Sequence, residues 1–298
     1  MGLRIRSVST LRAKLLENKI SKPVLATGAL LLAALAIAIA PATAQENVPP
    51  SASGSGAASN VSPTAPPSDI QDVIKKFAAK EEEFRKARDN YTYRQVVKVM
   101  ELSQDGDVGG TYEIDSDIIF TPQGARTEKV SYAPAPTLRH ISMSPEDERD
   151  LKNIQPFVLT TAELPKYNIQ YQGRQKVDEI GTYVFKVDPK TIEKGERYFQ
   201  GMIWVDDRDF QIVKTYGKAV PDIRAKGGEN LFPRFETYRQ QIDGKYWFPV
   251  WTGADDTLYF NSGPQRIRML VRYEDYKQFK STVNITYGSE ADKPPDIK

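Results

Sequence analysis

The feature that most constrains the fold of this chain is a change in hydrophobic period near Tyr91. Before it, apolar residues recur at helical spacing along segment 68–90 and charged residues fill the other face, which predicts an amphipathic helix of about five turns. The apolar positions on this face are Ile70, Val73, Ile74, Phe77 and Phe84. Ser68, with Gln71 three residues later, predicts a capping box at the start of the helix. After Tyr91 the period is two, which predicts β-strands.

Strand-like runs continue as far as Phe279. After YTYRQVVKVMEL and TYEIDSDIIF come ARTEKVSY, YNIQYQG, GTYVFKVDP, RYFQGMIWV, FQIVKTYG, RFETYRQQI, KYWFPVWTG and QRIRMLVRYEDYKQF. Between them lie segments rich in turn-forming residues, namely SQDGDVGG, TPQG, IDGK, GADD and NSGPQ. Within IDGK, Asp243-Gly244 is typical of a two-residue hairpin turn. These runs predict about ten antiparallel strands.

One segment interrupts the strands. In SPEDERDLKNI, Ser144 suits an N-cap, Pro145 suits the first helical position, and acids fill the first turn, which predicts a short helix. The order of elements predicts an α+β, mainly β fold. We expect a curved antiparallel sheet that forms an unclosed β-barrel (half-barrel), with the long N-terminal helix and the short inserted helix covering its concave side.

The first 44 of the 298 residues have the features of an export signal. They hold six basic side chains and one acidic one, a local charge of +5 in a chain of net charge +2, so the remainder is at −3. An apolar stretch follows the basic region, then Pro41 and the small-x-small site Ala42-Thr43-Ala44. Residues 1–44 are therefore predicted to be a signal peptide, with an uncleaved membrane anchor as the alternative. An acidic remainder gives no electrostatic reason to expect nucleic-acid binding.

Composition divides the exported part into three regions. Residues 45–67 are rich in Pro, Ser, Gly and Ala and predict a disordered linker. The half-barrel domain is predicted over 68–288, and 289–298 is predicted to be a flexible C-terminal tail. The domain has no cysteine, so neither a lipid anchor on cysteine nor a disulfide can form.

No group of residues has the pattern of a catalytic or metal site. His140 is the only histidine and lies outside any nucleophile motif, so it is interpreted as a strand or loop residue. Asp206, Asp207 and Asp209 in GMIWVDDRDFQIVK lack the ligand spacing of a calcium loop and predict a solvated turn between two strands. Segment Ala254–Thr257 (ADDT) is interpreted as a turn in the same way. We therefore predict a protein that is not an enzyme and that has neither a cofactor nor a metal.

Several strands have apolar residues on both faces, which indicates burial on both sides. In RYFQGMIWV, Phe199, Ile203 and Val205 lie on one face of the strand, and Met202 and Trp204 lie on the other. In KYWFPVW, Phe248 lies on one face, and Trp247 and Trp251 lie on the other. In RIRMLVRYE, Arg266, Arg268 and Arg272 lie on one face, which predicts a solvated outer face, and Ile267, Met269, Val271 and Tyr273 lie on the other. The inner face is either packed core or the wall of a ligand cavity.

Two neighbouring segments resemble a known family. YFQGMIWVDDRDFQIVKTYGK (198–218) and RFETYRQQIDGKYWFPVWT (234–252) show an apolar strand ending in Trp-Val-Asp, a short acidic turn and a second strand ending in a basic residue. Together with the preceding signal peptide and long helix, this sequence pattern resembles the periplasmic lipoprotein-localisation (LolA/LolB-like) superfamily. The resemblance covers about residues 91–279 and implies an unclosed antiparallel barrel whose cavity holds acyl chains.

The resulting hypothesis is a non-catalytic periplasmic carrier that shelters a lipid or lipoprotein acyl chain. A membrane-associated donor or acceptor protein is a further expected partner, and nucleic acid is not. The alternative function is an envelope sensor or scaffold that binds a partner protein through the same fold. The candidate cavity residues are Met202, Trp204, Phe248, Ile267, Met269, Val271 and Tyr273, and the candidate helix-lid residues are Ile70, Val73, Ile74 and Phe77.

Overall fold

The long predicted helix is present as α1 (Ile70–Arg88) in the computed structural model, which describes residues 61–64, 66–121, 125–153, 157–225 and 228–279. Its N-cap is Asp69, whose carboxylate accepts a hydrogen bond from the Asp72 N–H at 2.9 Å. The predicted capping box at Ser68 is therefore wrong, because Asp69 supplies the cap instead. Basic side chains in the last turn complement the negative end of the helix dipole.

Twelve strands follow within the described ranges. They are β1 (Tyr91–Leu102), β2 (Val108–Phe120), β3 (Arg126–Tyr132), β4 (Tyr167–Val177), β5 (Ile180–Pro189), β6 (Tyr198–Asp206), β7 (Ile212–Val220), β8 (Ile223–Ala225), β9 (Gly228–Asn230), β10 (Phe235–Ile242), β11 (Tyr246–Phe260) and β12 (Gly263–Gln278). Ten of them form one antiparallel sheet in the order β3-β2-β1-β12-β11-β10-β7-β6-β5-β4, and β8 pairs with β9. The first and last strands of the large sheet, β3 and β4, do not pair with each other. The predicted curved, unclosed sheet is thus confirmed.

The hairpin turn predicted at Asp243-Gly244 joins β10 to β11. Both residues have positive φ angles, 53° at Asp243 and 68° at Gly244. A tight turn that twists with its strands needs this conformation at both central positions, and Asp followed by Gly adopts it with little strain. The prediction of this turn is confirmed.

The turn predicted at Ala254–Thr257 is wrong, because the segment lies inside β11. Asp255 faces two arginines of β12: its carboxylate accepts hydrogen bonds from Arg266 Nε at 2.8 Å and from Arg268 Nη2 at 2.8 Å. These cross-strand ion pairs stabilise an extended conformation at residues that favour turns by intrinsic propensity. They also confirm that Arg266 and Arg268 lie on the outer face.

Asp206, Asp207 and Asp209 do form the connection between β6 and β7, but the prediction that this turn is solvated is wrong for Asp206. Asp206 is only 1% exposed, and its carboxylate accepts a hydrogen bond from the Arg208 N–H at 2.8 Å. Asp209 accepts from the Gln211 N–H and from the Trp247 indole N–H, each at 3.1 Å. The turn is closed by its own backbone and by β11, so its acids serve as structural acceptors.

The concave face of the sheet packs against α1. Phe77 lies 5.4 Å from Phe185 of β5, and Phe84 lies 5.1 Å from Phe248 of β11, measured between ring centroids. The same helix face presents Glu81, which is fully buried and pairs with the equally buried Arg239 of β10. Helix α1 therefore covers the part of the sheet built from β5 to β11.

The convex face has its own apolar cluster, as the alternation in β6 predicts. The cluster contains Trp204, Trp247, Trp251 and Tyr238, and Met202 packs against it. The Lys214 ammonium lies 4.9 Å from the Trp204 ring and 4.8 Å from the Tyr238 ring. Burial on both faces of these strands is thus confirmed.

The short helix predicted after Ser144 is α2 (Pro145–Asn153). Ser144 and Asp147 cap it reciprocally: the Asp147 N–H donates to Ser144 Oγ at 3.1 Å, and the Ser144 N–H donates to Asp147 Oδ2 at 2.8 Å. Lys152 pairs with Glu128 of β3 at 3.1 Å. A 3-10 turn (Leu164–Lys166) then leads into β4.

A buried ion pair also fixes α2 against the segment that leads into β6. Asp150 Oδ2 lies 2.6 Å from Arg197 Nη2, just before β6. Burial raises the pKa of Asp150 to about 6, although the Arg197 charge opposes this shift. Through Lys152 and Asp150, α2 is tied to both sides of the unclosed sheet, across its gap.

A residue of the predicted linker contacts the sheet. Ser62, in the predicted linker, exchanges two backbone hydrogen bonds with Arg174 of β4, at 3.0 and 3.1 Å. The predicted signal peptide (1–44) and C-terminal tail (289–298) lie outside the described residues. Among the described helices, none has the length and hydropathy needed to cross a bilayer.

Candidate ligand cavity

A cavity of about 180 Å³ lies between the concave face of the sheet and α2. The sheet side is apolar and the opposite side is a lid of loop and helix residues. The sheet contributes Val99, Leu258, Phe260, Ile267 and Met269. The lid contributes His140, Ile141, Ser142, Met143, Asp147, Leu151, Leu231, Phe232 and Pro233, with Glu229 beside them.

Strand register explains why these apolar side chains meet. Met269 of β12 is paired with Val99 of β1 on one side and with Ala254 of β11 on the other. Side chains directly opposite on antiparallel strands lie on the same face of the sheet. The row therefore faces the concave side, while the neighbouring arginines of β12 face outward.

A buried carboxylate holds the lid against the end of β1. Glu101 accepts hydrogen bonds from three successive backbone N–H groups of the lid: Arg139 at 2.9 Å, His140 at 2.7 Å and Ile141 at 2.8 Å. Burial acts to raise the pKa of Glu101, but these three donors outweigh it and the pKa is lowered. Glu101 therefore remains ionised and fixes the loop that forms one wall of the cavity.

The two acids at the cavity are engaged in structural contacts. Asp147 accepts a hydrogen bond from the Asn230 amide at 2.7 Å, and burial raises its pKa. Glu229 pairs with Arg224 and accepts from the Asn261 N–H at 2.7 Å. Asp147 also accepts a hydrogen bond from the Ser144 hydroxyl at 2.7 Å, as part of the cap of α2. No group of three or more metal-binding side chains occurs among the described residues. The arrangement can bind an apolar group.

The structure separates the residues predicted from the sequence. Ile267 and Met269 line the cavity. Val271 and Tyr273 continue the same face but are buried in the concave core beyond it. The Tyr273 hydroxyl lies 3.4 Å from the Thr252 hydroxyl, and burial raises its pKa.

The remaining cavity and lid candidates from the sequence lie outside this cavity. Phe248 packs against Phe84 of α1. Met202 and Trp204 belong to the cluster on the convex face, because they alternate with the inward-facing Ile203 and Val205. The helix-lid candidates Ile70, Val73, Ile74 and Phe77 pack in the concave core, and the lid of the cavity itself is α2 with its flanking loops.

The sequence reasoning missed the lid loops and the buried acids. A signal for the acids was available in the periodicity. Glu101 follows Val97 and Val99 at a spacing of two, so it falls on the inward face of β1. Glu81 lies four residues after Phe77, on the apolar face of α1. A carboxylate on an apolar face predicts a buried partner, although the partner itself cannot be found from local sequence.

No family model matches this chain, and no curated protein matches it. Several solved structures are similar. A LolA superfamily protein from Nitrosomonas europaea is 12% identical, with 68% of this chain and 95% of that chain covered and a TM-score of 0.30. A DUF1329 family protein from Desulfovibrio piger is 12% identical, with 73% and 95% covered and a TM-score of 0.33.

MucB is 12% identical, with 68% of this chain and 92% of that chain covered and a TM-score of 0.24. MucB has also been crystallised in complex with MucA(peri). The resemblance to LolA-like proteins predicted from the sequence thus recurs among the similar structures. Identities of 12% and TM-scores below 0.5 say nothing about what this chain binds, which has to be inferred from its own residues.

Proposed function

We propose that this chain is a non-catalytic, exported binding protein that shelters an acyl chain of a lipid or lipoprotein in the cavity under α2. The observation behind the proposal is a cavity of about 180 Å³ whose sheet side is apolar. Apolar cavities of about 150 Å³ already bind benzene-sized ligands in other proteins. A cavity of this size accommodates a segment of an acyl chain.

The lining suits such a ligand for two reasons. Burying apolar surface contributes roughly 25 cal/mol per Å², so affinity requires contact area and no reactive group. Met143 and Met269 contribute flexible thioether side chains, which adapt to irregular contacts. The lid is built from loop residues 139–143 and a short helix, elements that can move apart more easily than paired strands.

A binding titration with a fluorescent fatty acid tests the proposal. The variant Met269→Gln places a polar amide in the cavity wall and should abolish uptake. We expect it to lower the free energy of unfolding by less than the ~2–5 kcal/mol typical of a disrupted core, because water can enter the cavity and solvate the amide. The matched control is Met202→Gln, which makes the same change on the convex face and should leave uptake unchanged.

Two results would refute the proposal. One is that the wild-type protein takes up no fatty acid. The other is that Met269→Gln and Met202→Gln bind it equally well, because uptake would then not involve the cavity under α2.

The second candidate function is an envelope sensor or scaffold that binds a partner protein. One observation favours it: β3 is an edge strand on which Val130 and Tyr132 are exposed. Exposed edge strands can pair with a strand of another chain. A stable complex with an envelope protein, formed by protein free of lipid, would favour the sensor; co-purification of lipid with the protein from its host would favour the carrier.

Both functions place the domain outside the cytoplasm. The proposed signal peptide ends at Ala44, so the mature chain should begin at Gln45. N-terminal sequencing of the protein from the cell envelope tests this. Recovery of an intact N-terminus in the membrane fraction would instead support the uncleaved anchor.

A further inference from the structure

A second, larger pocket of about 630 Å³ opens at the other end of the half-barrel. Its wall includes Tyr93 of β1, whereas the cavity under α2 includes Val99 of the same strand. These two residues lie six positions, about 20 Å, apart along the strand. The two sites share no lining residue, although α2 contributes Leu151 to one and Lys152 to the other. We call the second site the arginine pocket; Arg88, Phe120, Phe157 and Tyr167 also form part of its wall.

The arginine pocket has an aromatic wall. Phe157 packs against Tyr167 with ring centroids 5.9 Å apart, and Tyr93 and Phe120 are buried in the concave core. Its volume lies within the range of about 300–1,000 Å³ that is usual for small-molecule sites. Such sites usually combine apolar walls with a few polar groups, whereas nine of the fifteen residues that line this pocket are charged.

Most of the basic side chains of this pocket already have partners. Arg85 pairs with Glu82 at 2.8 Å, Arg126 donates to Gln95 at 2.8 Å, Lys152 pairs with Glu128 at 3.1 Å, Lys166 with Glu163 at 3.2 Å, and Arg197 with Asp150 at 2.6 Å. These five are therefore occupied by contacts that stabilise the fold.

Arg88 differs from these five residues in the length of its ion pair. Its paired carboxylate, Asp89, lies 4.0 Å from Nε, a longer separation than in the five contacts above. The Arg88 Nε is buried and has no hydrogen-bond partner among the described residues; the same holds for Arg197 Nε, but Arg197 Nη2 pairs with Asp150 at 2.6 Å. The guanidinium lies 5.4 Å from the centre of the Phe120 ring. Burial lowers the pKa of Arg88, yet an arginine remains protonated at any working pH. The Arg88 side chain is 25% exposed, so an anion in the pocket can reach it and accept a hydrogen bond from the unsatisfied Nε–H.

The acids of the pocket wall do not occupy this position. Glu163 pairs with Lys166, and the Glu193 charge also acts on Lys166. Glu196 lies in the same turn as Glu193, bonded to it through the backbone at 3.2 Å. Two of these three acids, Glu163 and Glu193, therefore act on Lys166.

We propose that the arginine pocket binds the oxyanion group, a phosphate or a carboxylate, of a small molecule through Arg88, with the apolar part of that molecule against Tyr93, Phe120 and Phe157. The planar guanidinium can donate two parallel hydrogen bonds to such a group. The ligand is either a free anion or the headgroup of an amphiphile. This site is independent of the acyl-chain cavity, so either proposal can fail without the other.

Calorimetric titration with three probes tests the proposal: octyl phosphate, octanol and inorganic phosphate. The wild-type protein should bind octyl phosphate more tightly than octanol. Arg88→Met should weaken octyl phosphate binding about tenfold or more and leave octanol binding unchanged. Inorganic phosphate that binds with the same dependence on Arg88 identifies a free anion as the ligand; phosphate that does not bind, beside octyl phosphate that does, identifies an amphiphile.

The matched control is Lys86→Met, which removes the same charge from the same helical turn at a side chain that is 70% exposed. It should change octyl phosphate binding by less than about twofold. Arg88→Lys keeps the charge but loses the bidentate geometry, so it should give an intermediate affinity even if Arg88→Met does not fold. Met269→Gln should leave octyl phosphate binding unchanged. The proposal is overturned if octyl phosphate and octanol bind the wild type equally, or if both Arg88 variants bind octyl phosphate as the wild type does.

Discussion

Glu81 of α1 and Arg239 of β10 form a fully buried ion pair on the concave face, with Arg239 Nη1 2.9 Å from one carboxylate oxygen of Glu81 and 3.1 Å from the other. Arg239 also donates to the Phe157 carbonyl, and the Ile212 N–H donates to Glu81 at 3.4 Å. Burial raises the pKa of Glu81, and the Arg239 charge opposes this shift. The pair joins α1, the segment before β4, and the sheet in one polar contact.

Removing one partner of this pair should be far more costly than removing both. Arg239→Leu leaves a buried carboxylate without its partner and should lower the free energy of unfolding by about 3–5 kcal/mol. The double variant Glu81→Leu with Arg239→Leu should be clearly more stable than Arg239→Leu alone, because no unpaired charge remains. Urea unfolding of the single and double variants measures both effects.

The control for this comparison lies on the exposed face of the same helix. Glu83 pairs with Lys80 at 2.9 Å, with both side chains well exposed. Glu83→Gln should change the free energy of unfolding by no more than about 0.5 kcal/mol. If the Leu substitutions at 81 and 239 instead add independently, the two residues are not energetically coupled.

The local pattern of the chain was sufficient to predict most of its elements. Strand β1 coincides with the alternating run YTYRQVVKVMEL, and α2 begins at Pro145, directly after the N-cap proposed for Ser144. The outward position of Arg266 and Arg268 follows from the same alternation. These features depend on neighbours in sequence, so propensity and period determine them.

What local pattern could not provide are contacts between distant segments. Asp255 stays in a strand because of Arg266 and Arg268, and Asp209 is fixed by Trp247 of β11. The cavity lid depends on Glu101 meeting residues about 40 positions later in the chain. Such pairings are set by the three-dimensional fold, and a single sequence shows only that a buried acid needs a partner.

Glu101 should make the stability of the fold dependent on pH. Its pKa in the folded state is below the ordinary value of 4.5, so its contribution is fully present above that pH and is lost as pH falls through the folded pKa. Glu101→Gln should therefore lower the free energy of unfolding at pH 7, by about 1–3 kcal/mol, and reduce its loss between about pH 5 and pH 3. Urea unfolding across this pH range provides the measurement.

A comparison residue is available on the neighbouring strand. Glu113 pairs with Lys98 at 3.4 Å, and both side chains are partly exposed. Glu113→Gln should change the free energy of unfolding by less than about 1 kcal/mol and should leave its pH dependence nearly unchanged. Identical pH profiles for the wild type and Glu101→Gln would contradict the role assigned to Glu101.

The three acids of the turn between β6 and β7 should respond differently when each is replaced by asparagine. Burial raises the pKa of Asp206, and the nearby Asp209 and Asp207 charges add to this shift. Asp206→Asn keeps an acceptor for the Arg208 N–H and removes a buried charge, so it should leave stability at pH 7 unchanged or raise it by about 1 kcal/mol. Asp209→Asn has one acceptor oxygen for two donors and should lower stability by about 1 kcal/mol.

Thermal unfolding of the two variants at pH 7 distinguishes these effects, and Asp207→Asn completes the series. Asp207 pairs with the partly exposed Arg174 at 3.1 Å, and its loss should cost less than about 1 kcal/mol. A variant Asp206→Asn that is much less stable than Asp209→Asn would show that the Asp206 charge itself stabilises the turn.

The cavity under α2 should tolerate a larger side chain where the adjacent core does not. Val99 lines the cavity, whereas Val97, two residues earlier on the same face of β1, is buried in the packed core. Val97→Phe should lower the free energy of unfolding by about 1–3 kcal/mol or more through overpacking. Val99→Phe extends a ring into empty volume, so it should cost clearly less, and it should block uptake of the fluorescent fatty acid because the ring occupies the space of the acyl chain. Urea unfolding and the binding titration, performed on both variants, test this prediction. Equal losses of stability would mean that no usable space lies beside Val99. Undiminished uptake by Val99→Phe would mean that the fatty acid binds elsewhere.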